Sequence, residues 1–154
     1  MRLAWLKENR NFQCFGVEPS ERAVAVARSR GIDVCRGTAD NLPFDDHSFD
    51  IVVFGFCLYL CDREDLFRIA AEADRVLKTS GWLLLLDFYA KAHSARAYHH
   101  RPGLFSHKMD YTALFTWHPN YTLYAHHVRH HSQGGYTDDP HEWVATSVVR
   151  KNTQ

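Results

Sequence analysis

Two stretches of this 154-residue chain constrain its fold more than any others. Phe49 to Phe56 (FDIVVFGF) and Trp82 to Phe88 (WLLLLDF) are nearly continuous apolar runs. A strand with one wet face alternates apolar and polar residues, whereas continuous runs of this length suit strands buried on both faces, as in a parallel sheet. Between them, Asp62 to Lys78 carries Leu66, Ile69, Ala70, Ala73, Val76 and Leu77 at helical spacing, which makes one apolar stripe. Thr79-Ser80-Gly81 reads as the stop of that helix.

The flanks extend the alternation. Met1 to Glu8 reads as a short helix and Phe12 to Val17 (FQCFGV) as a buried strand. Glu18-Pro19-Ser20 is a turn with Ser20 as N-cap, followed by a helix over Glu21 to Arg30 with Gly31 at its end. Ile32 to Cys35 is a short strand and residues 37 to 47 a loop. Strands alternating with helices predict an α/β fold with parallel strands and right-handed crossovers. Residues 89 to 109 read as loop, rich in His, Tyr and Arg, and Asp110 to Trp117 as a helical turn. Tyr121 to His130 and Glu142 to Arg150 are β-rich and joined through Gly134-Gly135, which predicts a closing antiparallel hairpin. The organisation expected is one domain, 1–154, with a ligand-binding half (1–88), a substrate or lid insertion (89–120) and the hairpin (121–154).

Charge and cysteine content narrow the functions. Lys plus Arg and Asp plus Glu are balanced at 18 each, which gives no footprint for a nucleic-acid backbone or an anionic membrane. A small-molecule ligand or a protein partner is expected instead. Cys14, Cys35, Cys57 and Cys61 include no C-x-x-C pair, so they read as reduced, packed thiols of a cytoplasmic protein. No apolar run has the length of a membrane span, and no signal-peptide core is visible. The histidines of HHVRHH alternate on a strand, which separates His126 and His130 from His127 and His131, and no carboxylate is spaced with them. No metal site is expected.

In open α/β sheets, ligands bind at the carboxyl ends of the strands. Glu18 ends one strand and Thr38-Ala39-Asp40 follows the next, and a carboxylate there can accept both hydroxyls of a ribose. With Asn41-Leu42-Pro43-Phe44, Ser48-Phe49-Asp50 and the Arg75-Val76-Leu77-Lys78 helix end, in this order and spacing, residues 12 to 88 resemble the class I S-adenosylmethionine-dependent methyltransferases, in the type 11 subgroup. The resemblance implies a Rossmann-like methyltransferase sheet and S-adenosylmethionine as cofactor. It implies that Glu18 holds the ribose and Pro19 packs near the adenine. Thr38, Ala39 and Asp40 would line the adenine, with Thr38 standing where family members often carry an acid. It places Phe54, Phe56 and Tyr59 beside the methionine moiety and sulfonium. Asp87 is either a residue at the substrate mouth or a loop carboxylate bonded to nearby backbone. Tyr98, His99, His107 and Lys108 are candidate substrate contacts, with His99 or His107 as a candidate base.

The family's first strand and its glycine-rich turn have no counterpart in these residues. The N-terminally incomplete sheet is expected to leave hydrophobic strand edges that a protein partner or self-association could cover. The chain is then a fragment of a longer product, an inactive relative, or complete with another strand filling the gap. Two functions follow: methyl transfer to an N, O or C nucleophile on a small molecule, or a non-catalytic binding or scaffold subunit without cofactor. A nicotinamide-dependent dehydrogenase shares the acidic residue but lacks G-x-G-x-x-G and Tyr-x-x-x-Lys.

Overall fold

In the N-terminal unit, which ends at Phe44, strand and helix alternate as the sequence predicts. The structure is a computed structural model describing residues 2–153. Helix α1 (Arg2–Arg10) precedes β1 (Phe15–Glu18), α2 (Glu21–Arg28) and β2 (Asp33–Arg36). The α1 helix continues through Asn9 and Arg10, beyond the predicted end. The Asn9 amide side chain turns back to the Trp5 carbonyl at 2.9 Å. β1 and β2 are parallel, in register from Phe15↔Asp33 to Glu18↔Arg36. Ser20 caps α2, its hydroxyl accepting from the Ala23 amide at 3.3 Å. Gly31 adopts φ +72°, the left-handed turn that redirects the chain into β2. Cys14, Val24 and Ile32 form the buried apolar set of this unit.

The second unit, from Asp45 onward, contains β3 (Phe49–Gly55), 3-10 turns at Leu58–Leu60 and Arg63–Asp65, α3 (Leu66–Val76) and β4 (Leu77–Phe88). There follow β5 (Ser94–Ala97), β6 (Phe105–Lys108), α4 (Ala113–Thr116), β7 (Tyr121–His130) and β8 (Trp143–Lys151). The sheet order is β3-β4-β8-β7, with β3 and β4 parallel and the remaining pairs antiparallel. Leu83 and Leu85 of β4 and Val144 and Val149 of β8 are buried. So are Ile69, Ala73 and Val76 on the inner stripe of α3. The mixed α/β sheet and its closing hairpin are those expected. The unit division at 44/45 falls inside the predicted ligand-binding half, and segments 89–120 and 121–154 share the second unit with β3 and β4.

Four expectations need correction. The first strand covers Phe15–Glu18 and not Phe12–Val17, and it is not a buried strand, since Phe12 is 46% and Phe15 48% exposed. The β3 run is not buried on both faces: Ile51 is 39% and Val53 53% exposed on one face, while Phe54 on the other is buried. Thr79-Ser80-Gly81 does not stop the helix. α3 ends at Val76, and the chain passes directly into β4, where the register jumps from Phe49↔Leu77 to Ile51↔Trp82. Ser80 takes φ +61° at this bulge, and Gly81 packs so closely that a Cβ would lie 2.5 Å from Leu77 Cδ1. Residues 89 to 109 are not all loop, since β5 and β6 form an antiparallel hairpin from Ser94↔Lys108 to Ala97↔Phe105. Among the described residues, no helix is long and apolar enough to cross a membrane.

Candidate functional site

In the N-terminal unit, Glu18 ends β1 as predicted. Its Oε1 accepts from the Ser20 amide at 2.9 Å, which fixes the carboxylate over the turn into α2. The Gly37 amide donates to the Glu18 carbonyl at 3.2 Å and extends the ladder by one bond toward the second loop. There Thr38 bridges Asn41, which folds Thr38-Ala39-Asp40 into a tight turn. Glu18, Ala39 and Asp40 are half-buried, whereas Pro19 and Thr38 are exposed. A concavity of about 460 Å³ in this unit is lined by Phe15, Arg28, Val34 and Phe44, and includes neither Glu18 nor Asp40.

In the second unit, the chain leaves β3 through Phe56, which takes φ +55° and donates its amide to the Leu86 carbonyl at 2.7 Å. A non-glycine residue in the left-handed region needs surrounding bonds to hold it there. Asp87 provides them. Its Oδ2 accepts from the amides of Cys57 (3.1 Å) and Leu58 (2.8 Å), and its Oδ1 from that of Phe88 (2.8 Å). Of the two readings of Asp87, this is the backbone-bonded carboxylate: it is 3% exposed and engaged by amides on both oxygens. Burial raises its pKa to about 6 against the lowering effect of those amides.

Asp87 thereby holds a turn that presents a group of rings. Phe88 lies 5.5 Å from Phe56 and 5.0 Å from Tyr59, and Tyr59 lies 6.2 Å from Tyr98 (ring centroids). Lys108 places its ammonium 4.9 Å from the Phe88 ring, and burial pushes its pKa down. Burial also pushes the Tyr59 phenol up, with Tyr98 beside it adding to the effect. Of the predicted residues, Phe56, Tyr59, Asp87, Tyr98 and Lys108 belong to this neighbourhood. Phe54 does not: it is 6% exposed and packs on Phe115 of α4, 6.5 Å away, as a core residue. The kink at Phe56 breaks the alternation that would have kept the two rings on one face.

The two candidate bases differ. His99 is exposed in the turn between β5 and β6, its ring 3.8 Å from that of His100. His107 is half-buried on β6, with Nδ1 3.0 Å from His93 Nε2. Burial first, then Arg63 and His93, lower its pKa, which favours the neutral ring. Sequence reasoning missed Phe88 as the centre of the ring group, although its place at the end of the last parallel strand was visible. It also missed Arg63, which donates to the Leu58 carbonyl at 2.6 Å, to the Cys61 carbonyl and to the Tyr111 hydroxyl at 3.3 Å.

The histidine reading also changes. His131 lies one residue beyond β7, so strand alternation no longer governs it, and the hairpin brings Glu142 alongside. Glu142 Oε2 is 2.9 Å from His131 Nδ1 and 3.7 Å from His130 Nε2. A carboxylate therefore does meet these histidines. His130 Nδ1 accepts from the Ser132 and Gln133 amides at 3.1 Å each. With Nδ1 so occupied, a neutral His130 ring carries its proton on Nε2, 3.7 Å from Glu142 Oε2, and His130, His131 and Glu142 together bring three potential ligand atoms within 4.8 Å of one another.

The chain matches the sequence profile of the family described as "Methyltransferase domain" over residues 2–85, more than half of its length. It belongs to this methyltransferase family. It is 40% identical over 86 residues to an uncharacterized methyltransferase of Bacillus subtilis (strain 168), covering 51% of this chain and 33% of that protein. It is 36% identical over 80 residues to a demethylmenaquinone methyltransferase of Staphylococcus epidermidis, covering 49% and 32%. The matches thus span about a third of the length of these relatives. Its fold is similar to that of a SAM-dependent methyltransferase from Methanosarcina mazei (TM-score 0.73, 16% identity, 91% of this chain and 82% of that one). A similar likeness holds for the 1,6-didemethyltoxoflavin-N1-methyltransferase of Burkholderia thailandensis, solved with S-adenosylhomocysteine (TM-score 0.65, 12% identity, 97% and 76%).

Proposed function

We propose that this chain serves S-adenosylmethionine-dependent methyl transfer to an N, O or C nucleophile on a small molecule. The observation that carries the reading is the turn after β3, held by Asp87 and presenting Phe56 and Tyr59 at the carboxyl ends of two parallel strands. The residues suit the cofactor. Glu18, oriented by the Ser20 amide, has acceptor capacity for a ribose diol. Electron-rich ring faces suit a sulfonium. Once bound, the cofactor supplies an electrophilic methyl group that needs alignment more than covalent help.

The protein's part is positioning, exclusion of water and, where the acceptor needs it, removal of a proton. His107 suits the last role better than His99, because it is half-buried and kept neutral. Relatives named demethylmenaquinone methyltransferase, together with the Tyr59, Phe88 and Tyr98 rings, support an acceptor that carries a flat ring. Lys108 would contact its polar substituents.

Thermal unfolding with S-adenosylhomocysteine tests the proposal. A ligand at one hundred times its Kd stabilises the folded state by about 2.7 kcal/mol and raises Tm. The reading expects a concentration-dependent rise. A melting temperature unmoved at millimolar ligand would contradict it and favour the non-catalytic alternative.

A further inference from the structure

Cys57 and Cys61 bracket the 3-10 turn Leu58–Leu60, and their sulfurs lie 3.8 Å apart. Both side chains are half-buried and both are reduced. A disulfide bond would need the sulfurs to close by about 2 Å, within reach of side-chain rotation when the backbone already holds the residues together. The backbone does so here. The Leu60 amide donates to the Cys57 carbonyl and the Cys61 amide to the Leu58 carbonyl, each at 3.3 Å. Asp87 fixes the Cys57 and Leu58 amides, and Arg63 clamps the Leu58 and Cys61 carbonyls.

Besides lying 3.8 Å from Cys57 Sγ, Cys61 Sγ donates to the Cys57 carbonyl at 3.3 Å. The hydrogen bond with Cys57 lowers the Cys61 thiol pKa, burial opposes this, and the Arg63 guanidinium adds to the lowering. A thiol beside a cation, with a second thiol in reach, is the arrangement of an attacking and a resolving cysteine. The remaining cysteines lack it. Cys14 is buried, and Cys35 Sγ lies 3.5 Å from the Gly16 carbonyl.

We propose that Cys57 and Cys61 form a dithiol–disulfide pair oxidised by hydrogen peroxide. The Cys61 thiolate sulfur attacks one peroxide oxygen, the O–O bond breaks, and hydroxide leaves and takes up a proton to become water. Cys61 is then a sulfenic acid. The Cys57 sulfur attacks the Cys61 sulfur, the S–S bond forms, the S–O bond breaks, and a second water leaves with the Cys57 proton. The two sulfurs lose two electrons and the peroxide is reduced to two waters. The proposal does not rest on methyl transfer.

The test is non-reducing peptide mapping of the folded protein after peroxide treatment, quenching and alkylation in denaturant. The expected product is a peptide with Cys57 and Cys61 unalkylated and two hydrogen atoms lighter, with Cys14 and Cys35 alkylated. Oxidation in urea, where the turn and its contacts with Arg63 are lost, should be slower than in the folded protein. Cys57→Ser should accumulate a dimedone-reactive sulfenic acid at Cys61, and Cys61→Ser should leave Cys57 alkylated. Full alkylation of both cysteines in the treated wild-type protein would overturn the proposal, as would crosslinks only to other cysteines or between chains. Equal rates in the folded and unfolded protein would also overturn it.

Discussion

The Leu58 amide donates to Asp87 Oδ2 at 2.8 Å, tying the turn after β3 to the end of β4. This bond and its neighbours at Cys57 and Phe88 hold Phe56 in its left-handed conformation and fix the ring group around Phe88.

Asp87 should leave a signature in the pH dependence of stability. Burial raises its pKa from an ordinary 3.8 to about 6 in the folded chain. Between those values the folded state binds more protons than the unfolded one, so stability falls as pH rises through that window and levels off above it. The size is about 2–3 kcal/mol. Asp87→Asn removes the titration. The difference in urea stability between wild type and variant should change by that amount between acidic and neutral pH. Parallel profiles would contradict the assignment.

Gly81→Ala should destabilise the fold by about 1–3 kcal/mol, the cost of overpacking. The added Cβ would meet Leu77 Cδ1 at 2.5 Å and the Lys78 carbonyl at 2.7 Å, and the backbone oxygen cannot rotate away. The measurement is the denaturation midpoint, with Gly55→Ala as the control, a strand glycine with open space around it and no left-handed φ.

Much of this architecture is legible in the sequence, and the failures have local causes. β7 runs over Tyr121–His130 as read, because its β-rich composition is bounded by turn residues. The α3 stripe is visible in its spacing. The β5–β6 hairpin is hidden because Ser-Ala-Arg-Ala and Phe-Ser-His-Lys are short and mostly polar. Ser80-Gly81 looks like a helix end, but Ser80 takes its left-handed conformation at a bulge inside a strand, and Gly81 is there because Leu77 leaves no room for a Cβ. The meeting of His131 with Glu142 depends on where the hairpin ends, which residue types alone do not fix. Glu18 and Asp87 stand out in the sequence as acids at strand ends. That one carboxylate would be bound on both oxygens by amides is a tertiary fact.

Asp74 accepts from the Tyr121 hydroxyl at 2.6 Å and pairs with Lys151 at 2.8 Å, and Lys151 is only 8% exposed. Burial raises the Asp74 pKa, but the bonds from Lys151 and Tyr121 outweigh it and the net shift is downward. Its contribution is therefore present at neutral pH and is lost as pH falls through the folded value. Asp74→Ala would leave the Lys151 ammonium with carbonyl partners alone. It should cost about 1–3 kcal/mol at neutral pH. The two proteins should converge in stability in acid, as read by urea denaturation.

The most direct test of the central claim is calorimetric titration of S-adenosylhomocysteine into wild type and Glu18→Ala. The account predicts binding to wild type that is weakened in the variant by about 1–3 kcal/mol, the range for a hydrogen bond to a charged group. Equal affinity in the two proteins would contradict the role given to Glu18. Absence of binding to wild type would contradict the methyl-transfer reading itself.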